Sequence, residues 1–210
     1  MKVVVVSGSM RPDDIVEKLI ESCEMGLKAA GEPMDVEHVV LREEEMGFCT
    51  ACLQCMEKDG LPLGVCSLHS DRMHDLLITM RDADRVVMAT PLMMGTVTSL
   101  MKRFLERCAP LTFNTSRGRR ARVKKHKGKM GAIILVHSFF PVLSRIVGKD
   151  RGARAMLKLI LRAAGCEKVK ILSIRIPRIK PYRVDRVRGR GFNLGLALAK
   201  PRMKKAQHGA

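Results

Sequence analysis

Short apolar runs alternate along this chain with longer segments whose apolar residues recur every three or four positions. The runs end at loop-forming residues, and all five contain two or more valines or isoleucines, which favour strands. Strands are predicted at 3–6, 34–41, 85–91, 130–138 and 168–176. Helices are predicted at 13–31, 71–84, 95–108 and 151–165. This alternation predicts a parallel sheet with helices covering both of its faces.

Right-handed crossovers between such strands lead to a doubly wound, flavodoxin-like α/β fold. The prediction is a five-stranded parallel sheet in a three-layer sandwich over residues 1–180, with residues 181–210 forming a basic C-terminal extension. Ligands of these folds bind outside the carboxyl ends of the strands. The loops to inspect are SGSMRPDD (7–14), ATPLMMGTVTS (89–99) and VHSFFPVLS (136–144), which follow strands one, three and four.

The first loop carries groups suited to an anion. It leads into a helix N-terminus, where amides and the helix dipole favour negative charge. Ser7 and Ser9 add hydroxyl donors, and Arg11 adds a guanidinium that can grip a phosphate. The next residues, Asp13 and Asp14, are better suited to capping the helix than to binding phosphate.

The second loop combines a strand end with a flexible backbone. Pro91 ends the strand, and Gly95 permits a positive φ or a close backbone approach. A flat apolar ring could lie against the Met93 and Met94 side chains. The alternative interpretation is an ordinary loop whose methionines fill core space.

Four cysteines lie close together in the loop FCTACLQCMEKDGLPLGVC (48–66). Cys49, Cys52 and Cys55 have the spacing that lets three thiolates converge on a cubane iron–sulfur cluster, and Cys66 is the candidate fourth ligand. A tetrahedral zinc site and a set of unligated thiols are the alternatives. His69 follows closely enough to lie beside such a site.

The remaining cysteines and the N-terminus indicate a reducing compartment. Cys23, Cys108 and Cys166 lie on or beside predicted helices and are interpreted as small buried residues. The number of cysteines is odd, at seven, and no secretory leader is recognised at the N-terminus. Both observations argue against a disulfide framework. We expect a cytoplasmic protein.

The chain is strongly basic, with a net charge of +18. The cations are concentrated at 117–129 and 175–191, and such fields attract nucleic acid, anionic membranes or acidic proteins. Aromatic residues make up 3% of the chain, which leaves little from which to build a stacking platform for single-stranded nucleic acid. A solvated loop and tail are the alternative interpretation of the two runs.

The order of GSMR (8–11), the cysteine loop and ADRVVMATPLMMGTVTSLMKRFLER (83–107) resembles the NADPH-dependent FMN reductase family, and within it the iron-sulfur flavoproteins. The resemblance covers residues 1–108. It implies FMN as cofactor, an NAD(P)H donor, a [4Fe-4S] cluster on the four cysteines, and a homo-oligomer. It also implies an FMN site made of Ser7, Ser9, Met10, Arg11, Pro91, Leu92, Met93, Met94, Gly95 and His137.

Two functions remain open at this point. The first is an FMN-dependent oxidoreductase that transfers electrons to an acidic carrier such as a ferredoxin. The second is a flavodoxin-like scaffold that binds nucleic acid or an anionic membrane without catalysis. Two departures from the family pattern favour the second: Leu92 or Met93 in place of an aromatic residue, and HSFFP at 137–141 in place of a glycine-rich loop. The intact GSMR and ATP loops favour the first, although Pro12, Asp13 and Asp14 after GSMR weaken the phosphate assignment.

Overall fold

The computed structural model describes residues 1–31, 33–56, 65–114, 119–120, 128–137, 150–176 and 184–199. Its central sheet has five parallel strands in the order β2-β1-β3-β4-β5. They are β1 (Lys2–Ser7), β2 (Asp35–Val40), β3 (Arg85–Met93), β4 (Met130–His137) and β5 (Lys168–Arg175). The prediction of a five-stranded, doubly wound parallel sheet is confirmed.

In the described part of the chain, five helices of nine or more residues accompany the sheet: α1 (Ile15–Lys28), α2 (Met73–Asp82), α3 (Ser99–Arg107), α4 (Arg151–Ala163) and α5 (Val184–Ala199). Shorter elements are a 3-10 turn (Gln54–Met56), a single helical turn (Ala109–Thr112) and the two-residue strands Thr96–Val97, Phe113–Asn114 and Arg119–Arg120. Within the described ranges, no helix is both long enough and apolar enough to cross a membrane.

Alternate residues of the strands enter two separate cores. Val4, Val6 and Met88 belong to the core shared with α2, α3 and α4. Val3 and Val5 belong to the core on the opposite face, shared with α1 and α5. This alternation follows from the two-residue period of a strand, and it makes the domain the three-layer sandwich that the sequence predicts.

The last helix was not foreseen by the interpretation of 181–210 as a basic extension. α5 packs against α1 across the second face of the sheet, and Val187, Leu194 and Leu198 are buried in that core. Leu198 also accepts a hydrogen bond through its carbonyl oxygen from the buried Arg85 side chain, at 2.7 Å. Residues 184–199 are thus packed into the fold, while 181–183 and 200–210 lie outside the described residues.

Candidate functional site

The loop after β3 is a tight β-hairpin. Leu92 and Met93 pair antiparallel with Val97 and Thr96, so that Met94 and Gly95 form the two-residue turn. Their φ angles are +48° and +82°, as a type I′ turn requires of both central residues. Asn-Gly is the usual sequence of such turns, whereas Met94 adopts this conformation with a side chain that is 92% exposed.

The loop after β1 contacts this hairpin and the start of α3. The Gly8 amide donates to the Ala89 carbonyl at 2.8 Å. The Thr98 hydroxyl donates to the Gly8 carbonyl at 2.8 Å, and the same oxygen caps α3. A side chain at Gly8 would begin 2.9 Å from Cβ of Met101, so glycine is needed for this close approach. The ends of β1 and β3 therefore form one connected crevice, at the point where the strand order reverses.

The two serines of the first loop bond to carboxylates. The fully buried Ser9 hydroxyl donates to Asp14, and the Ser7 hydroxyl donates to Glu17 at 3.3 Å. Asp14 in turn caps α1, because its other oxygen accepts from the amides of Val16 and Glu17 at 2.8 and 3.1 Å. In this conformation both hydroxyls and the amides of Val16 and Glu17 already have partners. A role for Ser7 and Ser9 in holding a phosphate stays a prediction.

The other predicted residues divide by exposure. Met10, Arg11, Met93 and Met94 are exposed, whereas Leu92 is buried and Pro91 is partly buried. His137 is the last residue of β4, next to the end of β3, because Pro91 pairs with Val136. The structure thus brings all three strand ends to the same edge. Ser138 to Pro141, the rest of HSFFP, lie outside the described residues.

The exposed side chains of this crevice have the chemistry that a flavin mononucleotide requires. The thioethers of Met93 and Met94 suit a flat, polarizable ring, and the exposed Arg11 guanidinium suits a phosphate. Asp13 and Asp14 disfavour phosphate binding, because they add negative charge at the N-terminus of α1, where a phosphate would approach.

The cysteine loop forms a second site. Cys49, Cys52, Cys55 and Cys66 line a single cavity of about 340 Å³, together with His69 and Arg107. The position predicted for His69 beside the cysteines is therefore confirmed. Among the described residues, no group of three or more His, Cys, Asp or Glu side chains is arranged to hold a single metal ion. Residues 57–64, which join the two arms of the loop, lie outside the described part.

The four thiols are close enough to affect one another. Burial raises the pKa of Cys55, and the charges of Cys66, Cys49 and Cys52 raise it further. A backbone hydrogen bond acts in the opposite direction, but the pKa remains above its ordinary value. The amide of Ala51 donates to Sγ of Cys49 at 3.4 Å. Ser67 and Gln54 share a hydrogen bond that joins the arms carrying Cys66 and Cys55. Four thiols in one cavity are chemically suited to hold an iron–sulfur cluster or a metal ion.

A buried ion pair anchors both arms of the cysteine loop to α3. Arg107, the last residue of α3, donates to both oxygens of Asp71 at 2.8 and 3.0 Å and to the Gly47 carbonyl at 3.1 Å. Asp71 accepts from the Gly47 amide at 3.1 Å. Gly47 precedes the first three cysteines and Asp71 follows Cys66, so one guanidinium ties the two arms together.

Aromatic and imidazole contacts complete the anchor. His69 hydrogen-bonds the Phe48 carbonyl at 2.9 Å, and its ring lies against Gly47, where an added Cβ would come within 2.3 Å of it. Arg103 lies over the Phe48 ring at 5.6 Å from the centroid. Arg107 is the last residue of the segment that resembles the family, and no local signal pointed to Asp71, because the contact between them spans 36 residues.

Backbone strain in the described part of the chain is confined to the loops of these two sites. The non-glycine residues with positive φ are Asp13, Ala51, Leu53 and Met94, with φ between +48° and +61°. Asp13 and Met94 belong to the crevice, while Ala51 and Leu53 lie between the cysteines. Strained backbone persists only where the surroundings impose it, and it clusters at functional sites.

The two sites lie at opposite ends of α3. Its N-cap, Thr98, contacts the crevice at Gly8, and its last residue, Arg107, lines the cysteine cavity. A nine-residue helix separates its end residues by about 12 Å along the axis. One rigid element therefore sets the distance between the crevice and the cysteine cavity.

Sequence relatives of this chain include iron-sulfur flavoproteins of archaea. A protein so named from Methanocaldococcus jannaschii is 26% identical over 161 residues, which are 74% of this chain and 79% of that protein. An iron-sulfur flavoprotein of Archaeoglobus fulgidus is 28% identical over 165 residues, 79% of this chain. The matched part spans 64% of the A. fulgidus protein, so that relative is the longer of the two chains.

Solved structures with the same fold include a quinone oxidoreductase and an azoreductase. An NAD(P)H:quinone oxidoreductase from Methanothermobacter marburgensis superposes with a TM-score of 0.72 at 16% identity, over 94% of this chain and 98% of that one. An FMN-dependent NADH-azoreductase from Bacillus anthracis, solved with FMN, gives a TM-score of 0.69 at 15% identity, over 95% and 98%. At these identities the likeness establishes the fold.

Family membership follows from a match over most of the chain. Residues 1–144, which hold both the crevice and the cysteine cavity, match the family described as NADPH-dependent FMN reductase. The resemblance predicted from the loop motifs is thereby confirmed, and the chain belongs to the NADPH-dependent FMN reductase family of flavodoxin-like oxidoreductases.

Proposed function

We propose that this oxidoreductase binds FMN in the crevice between β1 and β3 and a [4Fe-4S] cluster in the cysteine cavity, and that it passes electrons between them. The observation that carries the proposal is the placement of both sites at the two ends of α3. The names of the archaeal relatives support it as well. Flavins exchange electrons singly or in pairs and clusters exchange one at a time, which is the chemistry the bound groups would supply.

In this proposal the crevice binds FMN through exposed groups. The Met93 and Met94 side chains border the ring, and the rigid hairpin turn keeps them at the edge of the sheet. Arg11 binds the phosphate as a fork of charged donors. Asp14 opposes it, because the carboxylate that caps α1 repels a dianion at the same helix end.

Two substitutions test the phosphate assignment in opposite directions. Asp14→Asn keeps a good N-cap while removing the negative charge, so we expect unchanged stability and FMN affinity raised by about fivefold, the equivalent of ~1 kcal/mol of repulsion. Arg11→Gln should weaken FMN binding. The measurement is fluorescence quenching of FMN titrated with each protein. Lys28→Gln, at the other end of α1, is the control. Equal FMN affinities for the natural chain and the three variants would show that the phosphate does not bind at this loop.

In the second site the cysteines supply the ligands, and Arg107 with Asp71 positions the two arms that carry them. The Ala51 amide, which donates to Sγ of Cys49, offsets part of the negative charge of the thiolate ligands. The raised pKa of Cys55 means that thiols must lose protons as the metal binds, so loading should release protons.

The decisive experiment is an anaerobic spectrum of the purified protein with iron, acid-labile sulfide, zinc and FMN assayed on the same sample. About four irons and four sulfides per chain are expected for a [4Fe-4S] cluster, with FMN present. Changing Cys49, Cys52, Cys55 or Cys66 singly to Ala should lower the iron without lowering the FMN. Cys166→Ala, a buried thiol outside the cavity, is the control. Zinc in place of iron, or FMN without iron, would reject the cluster.

The donor and acceptor form a separate part of the proposal. The donor is a reduced nicotinamide, and the acceptor is an acidic carrier such as a ferredoxin, which the net charge of +18 would attract over long range. A homo-oligomer is the proposed state of the protein in solution. Anaerobic reduction by NADH and by NADPH identifies the donor. Electron transfer to the carrier should slow steeply with added salt, and a rate independent of salt would contradict the steering.

A further inference from the structure

One edge of the domain carries a dense group of exposed cations. β5 is the last strand of the sheet, with α4 on one of its faces and α5 on the other. Nine exposed lysines and arginines project from these three elements: Arg151, Lys158 and Arg162 on α4; Lys168, Lys170 and Arg175 on β5; and Arg186, Arg188 and Arg190 on α5. We call this surface the β5 edge.

These cations have almost no acidic counterpart. In α4 and β5 there is no Asp or Glu, and in α5 there is one, Asp185. None of the nine forms an ion pair with a described carboxylate. Arg154, the remaining α4 cation, is different, because it pairs with Asp150 at 2.6 Å.

The opposite side of the domain shows the contrasting arrangement. Near β2 and the cysteine loop, Arg42 pairs with Glu17 and Glu43, and Arg72 pairs with Glu37 and Glu44. Arg81, Lys102 and Arg107 are also paired with carboxylates. The uncompensated positive charge of the described surface is therefore concentrated at the β5 edge, at the opposite end of the strand order from β2.

The cations are held by regular structure and not by loops. On α4, Arg151, Lys158 and Arg162 are separated by seven and four positions, so they share the solvent face of one helix. On β5, Lys168 and Lys170 are alternate residues, about 7 Å apart on one face of the strand. Charges fixed on rigid elements lose little entropy when they bind a partner.

We propose that the β5 edge binds the phosphate backbone of double-stranded nucleic acid without reading its sequence. A duplex presents closely spaced phosphates that can neutralise several fixed lysines and arginines at once. Single-stranded nucleic acid fits less well, because α5 has one aromatic residue, the half-buried Phe192, and α4 and β5 have none on which bases could stack.

Two other polyanions are less well matched to this surface. A membrane-binding face buries aromatic and large apolar residues among its cations, whereas the described side chains of the β5 edge include two exposed residues of that kind, Leu159 and Ile171. An acidic electron carrier would have to dock near a redox site to exchange electrons. Arg175 lies beside His137 at the carboxyl ends of the strands, whereas Lys168 and Lys170 lie at the amino end of β5, away from the crevice.

The test is fluorescence anisotropy of a labelled 30-base-pair DNA duplex titrated with the full chain at 50 to 200 mM salt. The edge variant carries Lys158→Gln, Arg162→Gln, Lys168→Gln and Lys170→Gln. The control variant loses an equal number of positive charges at exposed sites outside the β5 edge. It carries Lys2→Gln, Lys28→Gln, Arg81→Gln and Lys102→Gln. FMN binding and thermal unfolding of each variant show whether the domain remains folded.

We expect the natural chain to lose affinity by about 10³-fold over this salt range, as six phosphate contacts would produce. The slope of log K against log salt should be shallower by about 3.6 in the edge variant, or 0.9 per lost contact, and unchanged in the control. Two duplexes of different sequence should bind equally.

Three results would overturn the proposal. Equal weakening in the two variants would mean that net charge alone is responsible. Binding to phosphatidylserine vesicles without binding to the duplex would assign the β5 edge to a membrane. Binding to neither would leave the cations with the single role of protecting an edge strand from pairing with other chains. Each result can be read whether or not the protein contains a cluster, so failure here is distinct from failure of the proposed redox function.

Discussion

The seven cysteines divide into two groups by burial. Cys23, Cys108 and Cys166 are buried, as the sequence predicts, while the four in the cavity are partly or fully accessible. Burial raises the pKa of Cys23 to about 12 and that of Cys166 to about 11, and it raises the pKa of Cys108 as well. Thiols at such pKa values carry almost no thiolate at neutral pH, so they are unreactive.

Alkylation should therefore distinguish the groups. In protein treated with a chelator, we expect iodoacetamide at pH 8 to modify the four cavity cysteines and to spare the three buried ones. All seven should react after unfolding in guanidinium chloride. Peptide mass spectrometry gives the modified positions. Modification of Cys23 or Cys108 at the rate of Cys52 would contradict the burial.

A second prediction at this scale concerns the strained turn. Met94 occupies the left-handed region with φ +48°, which costs a side-chain-bearing residue about 1 kcal/mol compared with glycine or asparagine. Met94→Asn should therefore raise the free energy of unfolding by about that amount, while weakening FMN binding if Met94 borders the ring. Met93→Asn, in the adjacent strand position, should bring no gain in stability. Thermal melts with and without FMN measure both effects.

At the scale of elements, the contact between α1 and α5 depends on glycine. A Cβ on Gly195 would lie 1.9 Å from the Cys23 carbonyl oxygen, and one on Gly26 would lie 2.1 Å from that of Phe192. No side chain lies between the helices at these points, so the helix backbones touch. The contact holds the second core closed over the sheet, with Leu27 and Leu198 inside it.

Gly195→Ala should therefore destabilise the domain by about 1–3 kcal/mol, because the new methyl group meets backbone that cannot rotate away. Gly189→Ala is the matched control on the same helix, since a Cβ there meets nothing within 4 Å. It should stabilise the helix by about 0.5–1 kcal/mol. Urea unfolding of both variants measures the difference, and equal effects would contradict the close packing.

At the scale of the whole molecule, the Arg107–Asp71 pair makes stability depend on pH. Burial raises the pKa of Asp71, but the Arg107 hydrogen bonds, the amides of Gly47 and Met73 and the Arg107 charge outweigh it, so the pKa is lower than usual. Because the folded pKa lies below the unfolded value of about 3.9, the carboxylate stabilises the fold above that value. This stabilisation is lost as the pH falls through the folded pKa.

Asp71→Asn should cost about 3–5 kcal/mol at pH 7, because it leaves the Arg107 charge buried without its partner. The difference between the variant and the natural chain should shrink as the pH falls below about 4. Asp82→Asn, which breaks the exposed pair with Arg81, should cost less than about 1 kcal/mol at any pH. A cost for Asp71→Asn that does not change with pH would show that its charge is not the cause.

The sequence alone determined the five strands, four of the longer helices, the fold class and the set of cysteines in the cavity. The two-residue and three-to-four-residue periods of the apolar pattern are local, so β1 to β5 and α1 to α4 could be predicted without knowing their neighbours. The loops at the strand ends followed, since parallel strands bring their carboxyl ends to one edge. The cysteine spacing identified the set that lines one cavity, and helical positions indicated the three buried thiols.

Only the tertiary structure decided how those side chains are used. The Ser9 hydroxyl bonds to Asp14 because the chain turns back on itself at Asp13, and the cysteine arms join at Arg107 across 36 and 60 residues. The basic tail interpretation missed α5 because its burial depends on glycines that fit a distant helix. Contacts of this kind depend on the packing of elements distant in sequence, and a local pattern carries no record of which surfaces will meet.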